Sequence, residues 1–251
     1  MKPIIRSFRF SVVLVALTLL TIIPSRSQVN LKLGGGIGVM SPAAELSGST
    51  LDYYSGSRYG LSSGLNIHGK AKIGLSGLDL AGEIDYASLS NTGNSEPGQG
   101  SVDISQKILS LKVGPEFHLN VPATPVTPYI GANIALNTFS GETTFQGVAR
   151  VPSATYSVKA ATRLGLGLSA GAEVSIGPFT SLDFNVSYNW MNVSGKEWVD
   201  LNPGVNQRID SYLALNDGQD PGYAVGNDRH FISNERRIHS IVFTASILFG
   251  L

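Results

Sequence analysis

Four carboxylates and an imidazole crowd one stretch of this chain. Asp210, Asp217, Asp220, Asp228 and His230 all fall within residues 193–236. Carboxylates beside a histidine are the raw material of a hydrolytic site or of an oxygen-ligand calcium site. Asp-Gly and Asp-Pro-Gly are also ordinary turn chemistry, so a solvated loop explains the same residues. His239 and Ser240 are neighbours, and on an extended chain neighbours point to opposite faces, which argues against a nucleophile and its base. Gly165, Gly167 and Gly171 with Ser169 lack the strand–turn–helix setting of a dinucleotide site. Serine is abundant, yet no G-x-S-x-G elbow occurs. His68 and His118 fall on segments separated by a third, so a shared metal is not expected. We expect no cofactor, no metal site and no catalytic residue.

A second constellation is charged and regularly spaced. His68, Lys70 and Lys72 alternate on one segment, and Asp79, Glu83 and Asp85 share one face of the next. A two-residue Ser76-Gly77 turn between them sets Lys70 opposite Glu83 and His68 opposite Asp85, with Lys72 diagonal to Asp79 and Glu83. That is an ion-pair ladder on one face of a hairpin, and its role is structural.

The elements that carry these residues alternate with a period of two. In the last stretch Ile241, Phe243, Ala245, Ile247, Phe249 and Leu251 share one parity, against Ser240, Thr244, Ser246 and Gly250. About eight segments repeat the pattern: 29–40, 58–75, 78–89, 105–121, 129–139, 158–176, 182–190 and 238–251. Charged residues within them, among them Lys32, Lys112, Glu116, Arg163, Glu173 and Asp183, keep to the polar parity. On a lipid-facing position Arg or Lys would cost roughly 2–4 kcal/mol. Outward aromatics Tyr59, Tyr86 and Trp190 at the loop end, and Phe117 and Phe249 at the turn end, fit interfacial girdles. Connections alternate long and short, as periplasmic turns and external loops do. Pro115 predicts a bulge or a break in its strand. The weak alternation of 209–215 leaves room for a further hairpin. The expected fold is all-β: a closed, antiparallel, up-and-down transmembrane barrel of eight strands (ten possible), with the apolar parity towards lipid and a packed polar interior.

Residues 1–27 read as a cleavable export signal. Lys2, Arg6 and Arg9 precede an apolar run from Phe10 to Ile23, and Ser25-Arg26-Ser27 offers a cut before Gln28. A core of 14 residues falls short of the ~20 a spanning helix needs. The remaining domain, 28–251, holds 14 basic against 18 acidic residues, so nucleic acid is not an expected partner. With no cysteine, there is no disulfide framework or thiolate metal site.

These segments also carry a resemblance. PYIGANIAL (128–136), RLGLGLSAGAEV (163–174) and IVFTASILFGL (241–251) make residues 28–251 similar to the OmpA/OmpX-like small outer-membrane β-barrel family. The resemblance implies a bacterial outer-membrane protein, embedded in lipid, with structural, adhesive or protective work done by its loops on an extracellular partner. It also implies recognition by the barrel-assembly machinery through the last strand, here Phe243, Ile247, Phe249 and Leu251; no trailing peptidoglycan-binding domain is expected, because the strand pattern runs to the last residue. The competing expectations are a barrel enzyme, such as a lipid-A-modifying protein or a protease using His230 or His239 at the rim, and a narrow pore or secretion component.

Overall fold

The computed structural model describes residues 30–75, 77–119, 121–201, 208–220 and 234–250. The expected export signal, Ser76, Asp228, His230 and Leu251 lie outside them. Eight strands run β1 Asn30–Ala44, β2 Gly64–Leu75, β3 Leu78–Gly93, β4 Ser101–His118, β5 Val126–Gln146, β6 Ala154–Ser175, β7 Thr180–Ser194 and β8 Ile238–Gly250. Each pairs antiparallel with its neighbours in sequence, and β1 pairs with β8 to close the ring. Closure leaves no sheet edge within the lipid, where unpaired N–H and C=O groups would have no water.

A bilayer crossing takes about 9–11 tilted residues. β4, β5 and β6 contain 18, 21 and 22. The surplus lies at the long-loop end and forms a tall wall beyond the membrane. The expected loop at 90–103 is therefore half strand and that at 140–157 mostly strand, and the connections shrink to 94–100 and 147–153. β2 starts later than expected, at Gly64, because 58–63 belongs to the cap at the barrel mouth. Residues 209–215 do not add a strand: Arg208–Tyr212 is a 3-10 turn. The described residues form eight strands, not ten.

The apolar parity faces outward only across the membrane band. Leu80, Ile84, Tyr86, Leu109, Leu111, Val113, Ile130, Ile134, Leu166, Leu168, Phe184 and Phe243 are all exposed on the barrel wall. So wide an apolar surface marks contact with a nonaqueous medium. Above that belt the alternation inverts. On β3 the outward Tyr86 gives way to Ser88 and Ser90, while the inward Asp85 gives way to buried Ala87 and Leu89. On β4 the outward Leu109 gives way to Lys107, and inward Ser110 to buried Ile108, Ile104 and Val102.

Local chemistry shapes the wall. Inward Gly36 and Gly38 let β8 approach closely: a Cβ on either would stand 2.0–2.1 Å from a β8 carbonyl oxygen. Around Pro115 the ladder to β5 skips Gly114 and Pro115 and resumes in the same register. That is a break without a bulge, since proline removes a donor without adding a residue. A bulge does occur between β6 and β7, at Leu164–Leu166. It turns both Met191 and Asn192 inward, where each is buried.

Candidate functional site: a lumen closed at two levels

The lower lumen is an ion cluster. The hairpin register sets His68 against Asp85 and Lys70 against Glu83, and Lys70 Nζ lies 3.1 Å from Glu83 Oε1. The same ammonium lies 2.7 Å from Glu116 and 3.0 Å from Asp183, on other strands. Lys72, fully buried, departs from the expected diagonal to Asp79 and Glu83. It stands 2.8 Å from Glu116, 3.0 Å from Asp183 and 3.5 Å from Glu173. Eight strands leave so narrow an interior that long side chains meet across it.

Asp79 instead takes His118, at 3.0 Å, and Lys112 takes Asp85, also at 3.0 Å. His68 shares a 2.6 Å hydrogen bond with Ser246. Tyr129 ties the cluster together, its hydroxyl donating to Asp183 at 2.5 Å while its ring lies under Lys72 Nζ, 4.3 Å from the centroid. Below, a vestibule of about 310 Å³ opens at the short-turn end and stops at the Lys32–Glu173 pair.

The upper lumen is the opposite: an apolar plug. Helix α1, Thr50–Tyr54, drops into the mouth, held by a capping box in which Ser49 and Asp52 satisfy each other's backbone N–H. The Ser49 backbone N–H and hydroxyl hold the Asp52 carboxyl below its usual 3.8, against a smaller opposing effect of burial. Tyr53, Phe145 and Tyr212 pack ring to ring, with centroids 5.1–6.4 Å apart. Leu46, Leu61, Leu89, Ile104, Ile108, Phe139 and Val242 fill in around them. Burial pushes the Tyr53 phenol up to about 12 and raises that of Tyr59 further, so both remain neutral donors.

Tyr59 corrects an expectation. It is not part of an aromatic girdle but is buried in this plug, donating its hydroxyl to the Leu215 carbonyl at 2.6 Å. It lies on the connection after α1, where strand parity does not apply. Tyr86, Phe117 and Phe249 do face outward and are exposed. Trp190, half-buried, packs against Tyr188 and His239 at the upper edge of the belt. Phe243 and Ile247 also face outward.

Three of the acids singled out in residues 193–236 are not solvated either. Asp210, Asp217 and Asp220 are buried. Asp217 accepts from Arg163 Nε at 3.0 Å and Nη2 at 2.8 Å, and from Asn192 at 2.9 Å. These bonds fasten the loop to β6 and to the β6–β7 bulge. Arg163, expected as a lumen charge, is thus a clamp on the cap. No cluster of potential metal ligands occurs among the described residues. His239 bonds Tyr188 on the outer wall at 2.9 Å, whereas Ser240 is buried inside beside Asn189. The two side chains point to opposite faces and form no nucleophile–base pair.

A closed antiparallel ring, greasy outside and ionic within, defines a membrane β-barrel. Residues 12–208 match the family model described as "Outer membrane protein beta-barrel domain", and the chain belongs to that family. No curated protein matches it. Among solved structures, the Neisserial surface protein A is similar at 15% identity, with 87% of this chain and 96% of that one covered and a TM-score of 0.49. A major outer membrane protein of Thermus thermophilus has 16% identity, 87% and 99% coverage and a TM-score of 0.49. The attachment invasion locus protein Ail of Yersinia pestis, solved with the heparin analogue sucrose octasulfate, has 11% identity, 88% and 99% coverage and a TM-score of 0.39. The family and the apolar belt imply the bacterial outer membrane as its place.

Proposed function

We propose that this is a non-conducting, non-enzymatic barrel that displays a rigid external cap for surface interaction. One observation carries the reading: the lumen is closed twice, by salt bridges below and by aromatic packing above. A barrel so filled is an anchor, and what it presents to the outside is its cap. The tall β3–β6 wall, α1 and the loop pinned by Arg163–Asp217 form one packed body, so the surface is pre-organised for a partner. In this reading residues 1–27 direct export and are cut before Gln28. Phe243, Ile247, Phe249 and Leu251 then present the last strand to the assembly machinery.

Purified protein in planar bilayers should show no steady conductance. Cells expressing it should gain attachment to an extracellular surface, and lose it when the β5–β6 tip, residues 147–153, is replaced by a Gly/Ser linker. Stable open channels from the native chain would refute the anchor reading.

A further inference from the structure

The outer face of the tall wall is a lattice of hydroxyls. Across β3, β4, β5 and β6 the ladder aligns Thr92, Asp103, Thr144 and Thr155 in one row. One step nearer the belt it aligns Ser90, Ser105, Glu142 and Ser157, and one step further Ser88, Lys107 and Ser140. All of them are on the outward parity and exposed or half-buried, and eight of the eleven are serine or threonine. Thr144 and Thr155 satisfy each other at 2.8 Å. The hydroxyls of Ser88, Ser90, Ser105, Ser140 and Ser157 have no partner among the described residues. Composition alone does not produce this face. At the upper edge of the belt on β7 and β8 the outward residues are instead Tyr188, Trp190 and His239, an aromatic set.

The lattice is continuous with the lipid-facing belt. It uses the same parity of the same strands and starts directly above Tyr86 and Leu109. From Leu109 to Ser101 β4 climbs roughly 26 Å along its length, at about 3.3 Å per residue. With a tilt of about 45° that is roughly 19 Å above the belt, whereas the polar layer of a phospholipid leaflet is only about 5–8 Å deep. A lipid whose chains lie on the belt has its headgroup against the lattice, and only a headgroup of several sugar rings reaches the upper two rows. Sugar hydroxyls both donate and accept, as serine and threonine hydroxyls do, so the two surfaces match without a net charge on either.

We propose that the outer face of the β3–β6 wall binds the saccharide headgroups of the lipids packed on the belt below it. The unpartnered serine hydroxyls of the two lower rows make the hydrogen bonds, and the acyl chains of the same lipids cover the leucines and isoleucines beneath. The barrel then carries a collar of sugar-headed lipid on one side, and the cap projects through it.

The test uses the full mature chain refolded into phosphatidylcholine nanodiscs. These are doped with lipopolysaccharide of a rough strain, whose headgroup is a short oligosaccharide, or with the same lipid truncated to its acylated disaccharide. After transfer to mild detergent, native mass spectrometry counts the lipids each barrel keeps. The native chain should keep the oligosaccharide lipid in preference to the truncated one. Ser88→Ala, Ser90→Ala, Ser105→Ala, Ser140→Ala and Ser157→Ala combined should lower its retention about tenfold, because several modest hydrogen bonds are lost at once. The truncated lipid should be held as before. Lys107→Gln should change the preference little, since hydroxyls and not a phosphate contact carry it. The chain has no cysteine, so a nitroxide on Ser90→Cys gives a second readout that does not depend on the combined variant folding. Its collisions with a water-soluble relaxant should fall with the oligosaccharide lipid and not with the truncated one. Equal retention of the two lipids by the native chain, the same preference in the combined variant, its loss through Lys107→Gln alone, or a nitroxide that senses no difference would overturn the proposal.

Discussion

The lower and upper halves of this barrel are built by inverse rules along continuous strands such as β3 and β4. Below, outward positions are Leu, Ile, Val and Phe, and inward ones are Lys, Glu and Asp. Above, outward positions are Ser, Thr and Lys, and inward ones are Leu, Ile, Phe and Tyr. The change occurs between Tyr86 and Ser88 on β3, and between Leu109 and Lys107 on β4. The medium outside determines which parity can be greasy, and the other parity fills the space left. Where lipid surrounds the wall, hydrophobic burial has no force to drive an apolar interior together, so directional ion pairs organise it. Where water surrounds the wall, an ordinary apolar core forms.

The largest separation of the two halves is expected from paired truncations. Lys72→Met leaves Glu116 and Asp183 to share Lys70 alone and Glu173 to Lys32 alone, and the broken buried pairs cost roughly 3–5 kcal/mol. Urea unfolding in detergent should show a lowered midpoint, with loss of the gel shift between unheated and boiled samples. Phe145→Ala removes a comparable contact from the cap, about 3–5 kcal/mol by cavity formation. Its effect should appear as protease access to 45–63 and 208–220 while the gel shift is kept. If both variants lost the gel shift together, the halves would be one cooperative unit.

A smaller effect should map the boundary between them. Leu111→Arg, at mid-belt, should cost roughly 2–4 kcal/mol in refolding into bilayers. Lys107→Leu, four positions nearer the loops and already outside the belt, should change little. Equal costs at both positions would move the boundary.

The smallest is an acid effect confined to the cap. Glu45 is partly buried, which raises its carboxyl, but the Arg237 guanidinium and backbone N–H bond it and hold it below its usual 4.5. A depressed carboxylate contributes stability that is present above 4.5 and is lost as pH falls through its folded value. Asp52 behaves alike at the α1 cap. Pepsin digestion from pH 4.5 downward should therefore open the mouth near Glu45 and Arg237, and Glu45→Gln should remove most of that dependence.

The cross-strand part of the charged site is legible in the sequence because only two residues join β2 to β3, which fixes their register. Lys70 opposite Glu83 follows from counting. Lys72 is not legible: its partners Glu116, Glu173 and Asp183 lie across the lumen on β4, β6 and β7, and no spacing encodes a contact between strands that do not pair. The Ser49–Asp52 capping box is readable as S-x-x-D, a signal for α1 that the serine-rich loop composition obscures. Tyr59 escapes a reading by strand parity because its stretch folds as cap.

Sequence by itself determined that the chain alternates, that its charges keep to one side, and that its ends and turns close an even number of strands. Those are local facts, set by the two-residue period of an extended chain and by turn chemistry. Only the tertiary structure decided how high the wall rises above the belt, which charges meet across the interior, and that residues 208–220 fold back into the plug. These depend on the diameter of the closed ring, and a diameter exists only once the first strand has met the last.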